Sequence, residues 1–182
     1  YDSSNNIGFK SDILRYEILY KYGGIYIDTD LEGVKKIPNY FREYEFISCI
    51  VFNNTPQINN ALIISKPRAN LISKMIKSIK IQKNDTSALE TLSCSGANLL
   101  TKQYFSLTMK ERSENLILPS DYFYPLPNFL VNTKITKKDF LTDKTIGIHY
   151  WEVSWMKGNF IKRVINKLVR IIKILNFFSE RK

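Results

Sequence analysis

The sequence predicts an α/β fold, and three observations carry that prediction. Segments of strand and helix character alternate along the chain. Over residues 11–30 a helix, a glycine turn, a short apolar strand and an acidic loop follow one another. The 182 residues are 44% hydrophobic and 13% aromatic, too apolar for disorder over most of the length. A chain of this size buries about 70% of the surface its unfolded form exposes.

Taken in order, Ser11–Tyr22 (SDILRYEILYKY) places Ile13, Leu14, Ile18 and Leu19 on one helical face. Ser11 reads as the N-cap, and Gly23 as the glycine that ends the helix with positive φ. Ile25, Tyr26 and Ile27 read as a short, fully buried strand between Gly24 and Asp28. Phe46–Phe52 and Leu62–Ser65 are β-branched and aromatic enough for strands, and Asn70–Lys80 reads as a helix after Pro67. Gly96–Phe105 follows a Ser/Gly turn as a further helix, and Leu116–Leu118 and Ile146–Trp151 complete the strands. No internal repeat or low-complexity linker interrupts the chain, so the reading is one domain over 1–156 and a tail over 157–182.

Charge divides the chain at the same place. The net charge is +10. Residues 157–182 hold eight basic residues and one acidic, against nineteen and sixteen before them. On a helix, Ile161, Val164, Ile165, Leu168, Ile171, Ile172 and Leu175 fall on one side of this tail, with Lys162, Arg163, Lys167, Arg170 and Lys173 opposite. Two readings stand: a basic amphipathic helix lying in an anionic membrane interface, or a C-terminal helix docked on its own core. No run of about 18 uncharged apolar residues is present. Cys49 and Cys94 are too few and too far apart for a disulfide framework or a paired-cysteine metal site, which points to a reducing, cytoplasmic setting. Charge alone suggests nucleic acid, but no RNA-binding, zinc or helix-turn-helix signature supports it.

The chemistry concentrates at GGIYIDTD, residues 23–30. Asp28 and Asp30, two apart, face the same way if strand geometry continues to its end. Two close carboxylates repel, and a cation between them removes the cost. Oxygen ligands of this kind suit hard ions such as Mg²⁺ or Mn²⁺, which complete their shells with water and phosphate oxygens. Aspartates at a strand end also cap local backbone without any metal, and DxD is a short pattern. One helix upstream, Asp12 and Arg15 stand at i and i+3, an acceptor beside a guanidinium, which also describes an ordinary surface ion pair.

The stretch SDILRYEILYKYGGIYIDTDLEGVKKI resembles the DxD-containing glycosyltransferases, family 32, that include initiating mannosyltransferases, capsular polysaccharide synthesis enzymes and, more distantly, large glucosylating toxins. An S-D-x-x-R helix, a Y-G-G-I-Y turn and strand, and the D-x-D itself occur in family order and spacing over 27 residues. The resemblance implies a GT-A fold, a Rossmann-like nucleotide-sugar-binding α/β sheet, here partial at its N-terminus because members carry about one more βαβ segment ahead of the helix. Either the sequence is a fragment or the protein has lost that segment. The resemblance implies a metal-dependent hexosyltransferase that works with retention of configuration. The partners implied are a UDP- or GDP-linked sugar donor and a glycan or lipid-linked acceptor in surface polysaccharide synthesis. Laid on this chain, Asp12 and Arg15 would contact the donor sugar, Asp28 the ribose, sugar or metal, and Asp30 the metal directly, with Tyr26 near the nucleotide. SGANLL, residues 95–100, resembles the family's glycine turn, with Asn98 its polar candidate and Ala97 where members often have Pro. IHYWEVSWMKG resembles the C-terminal element: His149 as metal or diphosphate ligand, Ser154 and Trp155 closing over the phosphates, and Trp151 packing the core. The competing reading is a degenerate, non-catalytic module docked to a membrane through its basic tail.

Overall fold

The structure, a computed structural model, describes residues 6–52, 55–79, 93–127 and 140–152. Ser154, Trp155 and the 157–182 tail lie outside these residues. Seven strands and four α-helices are seen among the described residues, an α/β arrangement as the alternation predicts. The strands are β1 (Gly24–Ile27), β2 (Leu31–Gly33), β3 (Phe46–Phe52), β4 (Thr55–Ile58), β5 (Leu62–Ser65), β6 (Asn115–Leu118) and β7 (Gly147–His149). The helices are α1 (Ile7–Tyr22), α2 (Asn70–Ser78), α3 (Ala97–Phe105) and α4 (Met109–Ser113).

A five-stranded sheet has β3 at its centre, parallel to β6 and antiparallel to β4 and β5, with β1 antiparallel on the far side of β5. A separate two-stranded ribbon pairs β2 with β7, Leu31 opposite His149. Side chains of β3 and β5 alternate between two cores. Phe46 and Ile63 pack with Tyr16, Leu19, Leu71, Ile72, Met75 and Leu100 under the helices. Ile47, Cys49 and Leu62 pack on the other face with Phe41, Leu118, Phe123, Tyr124 and Ile146. Strands covered on both faces carry no polar face of their own, which is why Phe46–Phe52 reads as one apolar run.

Three local expectations change. Helix α1 begins four residues before Ser11, capped by Asn6, whose side chain accepts from Phe9 N at 3.1 Å. Its buried face is Phe9, Asp12, Arg15, Tyr16 and Leu19, so Leu14 and Ile18 point outward, each 47% exposed. The apolar pattern misleads because the inward face carries the charged pair Asp12–Arg15. Third, β1 is not fully buried: Ile25 and Ile27 are 53% and 49% exposed, since among the described residues this strand pairs only with β5.

The turn between α1 and β1 is as the glycines require. Gly23 has φ 65°, and its N–H caps the helix by donating to Leu19 O at 2.8 Å. A Cβ there would stand 2.6 Å from Pro67 Cδ and 2.8 Å from Ser65 O, so both conformation and space demand glycine.

Between the Ile50–Ile58 pair and the Ile47–Ile64 pair, β3 advances three residues while the returning chain advances six. Residues 59–61 therefore form a bulge between β4 and β5. Asn59 holds it, its side-chain oxygen accepting from Ala61 N at 2.8 Å and its N–H donating to Cys49 O at 2.9 Å. The Ser48 hydroxyl donates to Asn59 O at 2.6 Å. This bulge abuts the end of β1, where Asp28 N donates to Ala61 O at 2.8 Å.

Candidate functional site

Asp28 and Asp30 lie just past the end of β1, in a turn closed by Leu31 N donating to Asp28 O at 3.1 Å. The strand stops at Ile27, so this turn, and not strand alternation, brings the carboxylates to one place. Across the β2–β7 ribbon stands His149, only 5% exposed. One oxygen of each carboxylate is committed to protein. Asp28 Oδ1 accepts from Tyr26 Oη at 2.8 Å and lies 3.6 Å from Arg15 Nη1. Asp30 Oδ2 accepts from Glu152 N at 2.7 Å.

The other oxygen of each turns to the histidine. His149 Nε2 is 3.1 Å from Asp30 Oδ1 and 4.0 Å from Asp28 Oδ2, and one ligand atom from each residue lies within 4.8 Å of the others. Neither ring nitrogen has a full hydrogen-bond partner among the described residues, and the nearest acceptor to Nε2 is the Asp30 carboxylate. A buried imidazole with two orphaned nitrogens facing two carboxylates is poorly satisfied by protein alone. Burial holds its pKa below the usual value, against the pull of Asp30 and Asp28, so the ring is neutral at pH 7 with a lone pair to offer. Two carboxylate oxygens and a neutral imidazole form a donor set that a hard divalent cation fits. Trp151 packs edge-on against the imidazole, ring centroids 4.4 Å apart, and its indole N–H donates to Leu126 O at 2.7 Å.

Behind the acidic turn lies a buried polar network on the inner face of α1. Asp12 and Arg15, each 5% exposed, form a salt bridge at 3.0 Å. Asp12 Oδ1 accepts from Asn60 Nδ2 at 2.8 Å and Oδ2 from Ser95 Oγ at 2.7 Å. Burial pushes the Asp12 carboxyl above its usual value, although Arg15, Ser95 and Asn60 favour the charged form. Burial alone would lower Arg15; Asp12 and Asp28 outweigh it and hold the guanidinium charged. Arg15 also donates to the Asn60 and Ser11 carbonyls and to Ser11 Oγ, and stacks 4.4 Å above the Tyr26 ring. Burial raises Tyr26 to about 12, so its hydroxyl stays protonated and donates to Asp28.

Of the residues singled out in the sequence, the structure brings together Asp12, Arg15, Tyr26, Asp28, Asp30 and His149. Asn98, in the first turn of α3, bonds β4 instead, its side-chain oxygen accepting from Gln57 Nε2 at 2.5 Å. The residue of SGANLL that reaches the network is Ser95. Ser11, read as a cap, instead lies inside α1 with its hydroxyl 3.2 Å from Tyr26 Oη. The sequence does not single out Asn60: an Asn–Asn step before an apolar run signals a turn or bulge, but no spacing rule ties it to Asp12.

The comparisons bear on this same stretch. Residues 1–47 match the family model described as the glycosyltransferase sugar-binding region containing the DXD motif. Asp12, Arg15, Asp28 and Asp30 all fall inside the match, and a glycosyltransferase is what it supports. The mannosyl phosphorylinositol ceramide synthase of Saccharomyces cerevisiae is 29% identical over 126 residues, 62% of this chain. The chain spans only 31% of that relative's length. Among solved structures, the PaToxG glycosyltransferase is similar over 56% of this chain and 35% of its own, at 23% identity and a TM-score of 0.41, too loose an overlap to decide residue roles.

Proposed function

We propose that this chain is the donor-binding part of a metal-dependent glycosyltransferase that moves a hexose from a nucleotide-sugar to a glycan or lipid-linked acceptor. The observation that carries the reading is that Asp28, Asp30 and His149 converge, each carboxylate keeping one oxygen free toward the imidazole. Asp28, Asp30 and His149 would hold Mn²⁺ or Mg²⁺, and such an ion supplies charge neutralisation for a leaving diphosphate. The chain's own residues prepare the place. Tyr26 and Arg15 fix Asp28, the Glu152 N–H fixes Asp30, and Trp151 sets the imidazole. Asp12 already accepts two hydrogen bonds and an ion pair, and its carboxylate has acceptor capacity left for a sugar hydroxyl.

The finer parts of this reading are UDP or GDP as the base, retention of configuration, and a place in surface polysaccharide synthesis. They follow the resemblance described above. For the tail we propose peripheral contact with the inner face of the membrane, supported by its charge and amphipathic pattern. Among the described residues no helix is long and apolar enough to cross a membrane.

Two measurements test the reading. A panel of UDP- and GDP-sugars with Mn²⁺ is assayed for donor hydrolysis, with one donor expected to turn over only when metal is present. Thermal unfolding is followed with UDP or GDP and Mn²⁺, where ligand at a hundred times Kd stabilises by about 2.7 kcal/mol. No turnover and no stabilisation on any nucleotide would favour the non-catalytic module.

A further inference from the structure

The bulge at residues 59–61 touches both halves of the site, and Asn60 is the residue through which it does so. Its side-chain amide donates to Asp12 Oδ1 at 2.8 Å and lies 3.4 Å from Tyr16 Oη. Its main-chain carbonyl accepts from Arg15 Nη1, the same nitrogen that stands 3.6 Å from Asp28 Oδ1. The next residue, Ala61, receives the Asp28 N–H at 2.8 Å. Asn60 is buried. It sits in the extra residues between β4 and β5, where the chain leaves the ladder with β3.

We propose that Asn60 is a positioning residue for the acidic site. By gripping Asp12 with its side chain and Arg15 with its carbonyl, it keeps the guanidinium where it fixes Oδ1 of Asp28. Oδ2 is thereby left turned toward Asp30 and His149. A buried pair bonded at one end only swings to satisfy itself elsewhere. Removing the amide leaves Asp12 Oδ1 with Arg15 as its sole remaining strong partner, and the Asp12–Arg15 pair is then held by residue 60 through the carbonyl alone, which loosens the guanidinium's place beside Asp28. The sequence marks the step only as an Asn–Asn turn, and nothing in the reading of function assigned it a part.

This inference rests on the metal reading and is tested so that the two fail separately. The probe is Mn²⁺ alone, followed by the loss of its free-ion electron paramagnetic resonance signal on titration into the full chain, with circular dichroism melts in parallel. Wild type is expected to bind. Asn60→Ala is expected to bind more weakly, by up to roughly 10-fold, while retaining its helical signal; 10-fold is the low end of the loss when a group bonded directly to a metal ligand is removed, and Asn60 acts one step further back. Asn60→Ser, which keeps a polar group in a smaller volume, carries the same expectation with a milder effect on melting. In a chain that already carries Asp12→Asn, Asn60→Ala is expected to add little, because the path from Asn60 runs through that carboxylate. A folded Asn60→Ala or Asn60→Ser chain with wild-type Mn²⁺ affinity overturns the positioning role and leaves the metal site standing. Additive losses in the Asp12→Asn background overturn the path. A wild type that binds no Mn²⁺ overturns the metal reading and this inference with it.

Discussion

His149 Nε2 lies 3.1 Å from Asp30 Oδ1 across the β2–β7 ribbon, yet has no full hydrogen-bond partner among the described residues. A neutral, buried imidazole is thus held against a carboxylate it does not satisfy. Such an arrangement depends on pH with a definite sign. Burial lowers the folded-state pKa of His149 below 6.5. Between that lowered value and 6.5 the unfolded chain binds the proton and the folded chain does not. The metal-free protein is therefore expected to lose stability as pH falls from about 7 toward 5. Urea unfolding at pH 7.5 and 5.5 checks this, with His149→Gln expected to flatten the difference. An unchanged pH dependence in that variant contradicts the burial argument.

Asp12 and Arg15 make a second expectation. Asp12→Ala leaves a buried guanidinium with its nearest counter-charge removed, and a loss of about 3–5 kcal/mol is typical when one partner of a buried pair goes. Replacing both, as Asp12→Leu with Arg15→Met, is expected to recover most of that stability while weakening the hold on Asp28. Equilibrium urea unfolding of the three chains gives the comparison. A double variant no more stable than Asp12→Ala would show that the pair is not the unit.

The glycine turn gives a paired control. Gly23→Ala meets both a positive φ and a Cβ clash with Pro67 and Ser65. It is expected to cost more than the roughly 1–3 kcal/mol of backbone strain alone. Gly24 has φ 105° with nothing within 4 Å of a Cβ, so Gly24→Ala meets the backbone cost only. Denaturation midpoints of the two variants decide it, and equal losses would contradict the steric part.

Much of this architecture is legible in the sequence. Phe46–Phe52 is β3 residue for residue and Leu62–Ser65 is β5, because both are apolar runs buried on two faces and need no partner to be recognised. Gly23 was legible because its chemistry is local. The short elements β2, β4 and α4 were not, since three to five residues carry little periodicity. The inward face of α1 was misread because Asp12 and Arg15 occupy core positions, and a hydrophobic pattern treats charge as solvent-facing. Of the site, the acidic pair and His149 were visible as motif residues. Asn60 and Ser95 were not, because what makes them matter is a bulge and a hydrogen bond to Asp12 that spans 83 residues of sequence in the case of Ser95.

The central question is whether Asp28, Asp30 and His149 hold a divalent cation together. Calorimetric titration of Mn²⁺ into the wild-type chain and into Asp30→Asn tests it most directly. One ion is expected to bind the wild type, and Asp30→Asn, which keeps the shape and removes the charge, is expected to lose at least the 10–100-fold typical of disturbing a metal site, with an unaltered circular dichroism spectrum. Equal Mn²⁺ affinity in the two chains, or none in either, would contradict it.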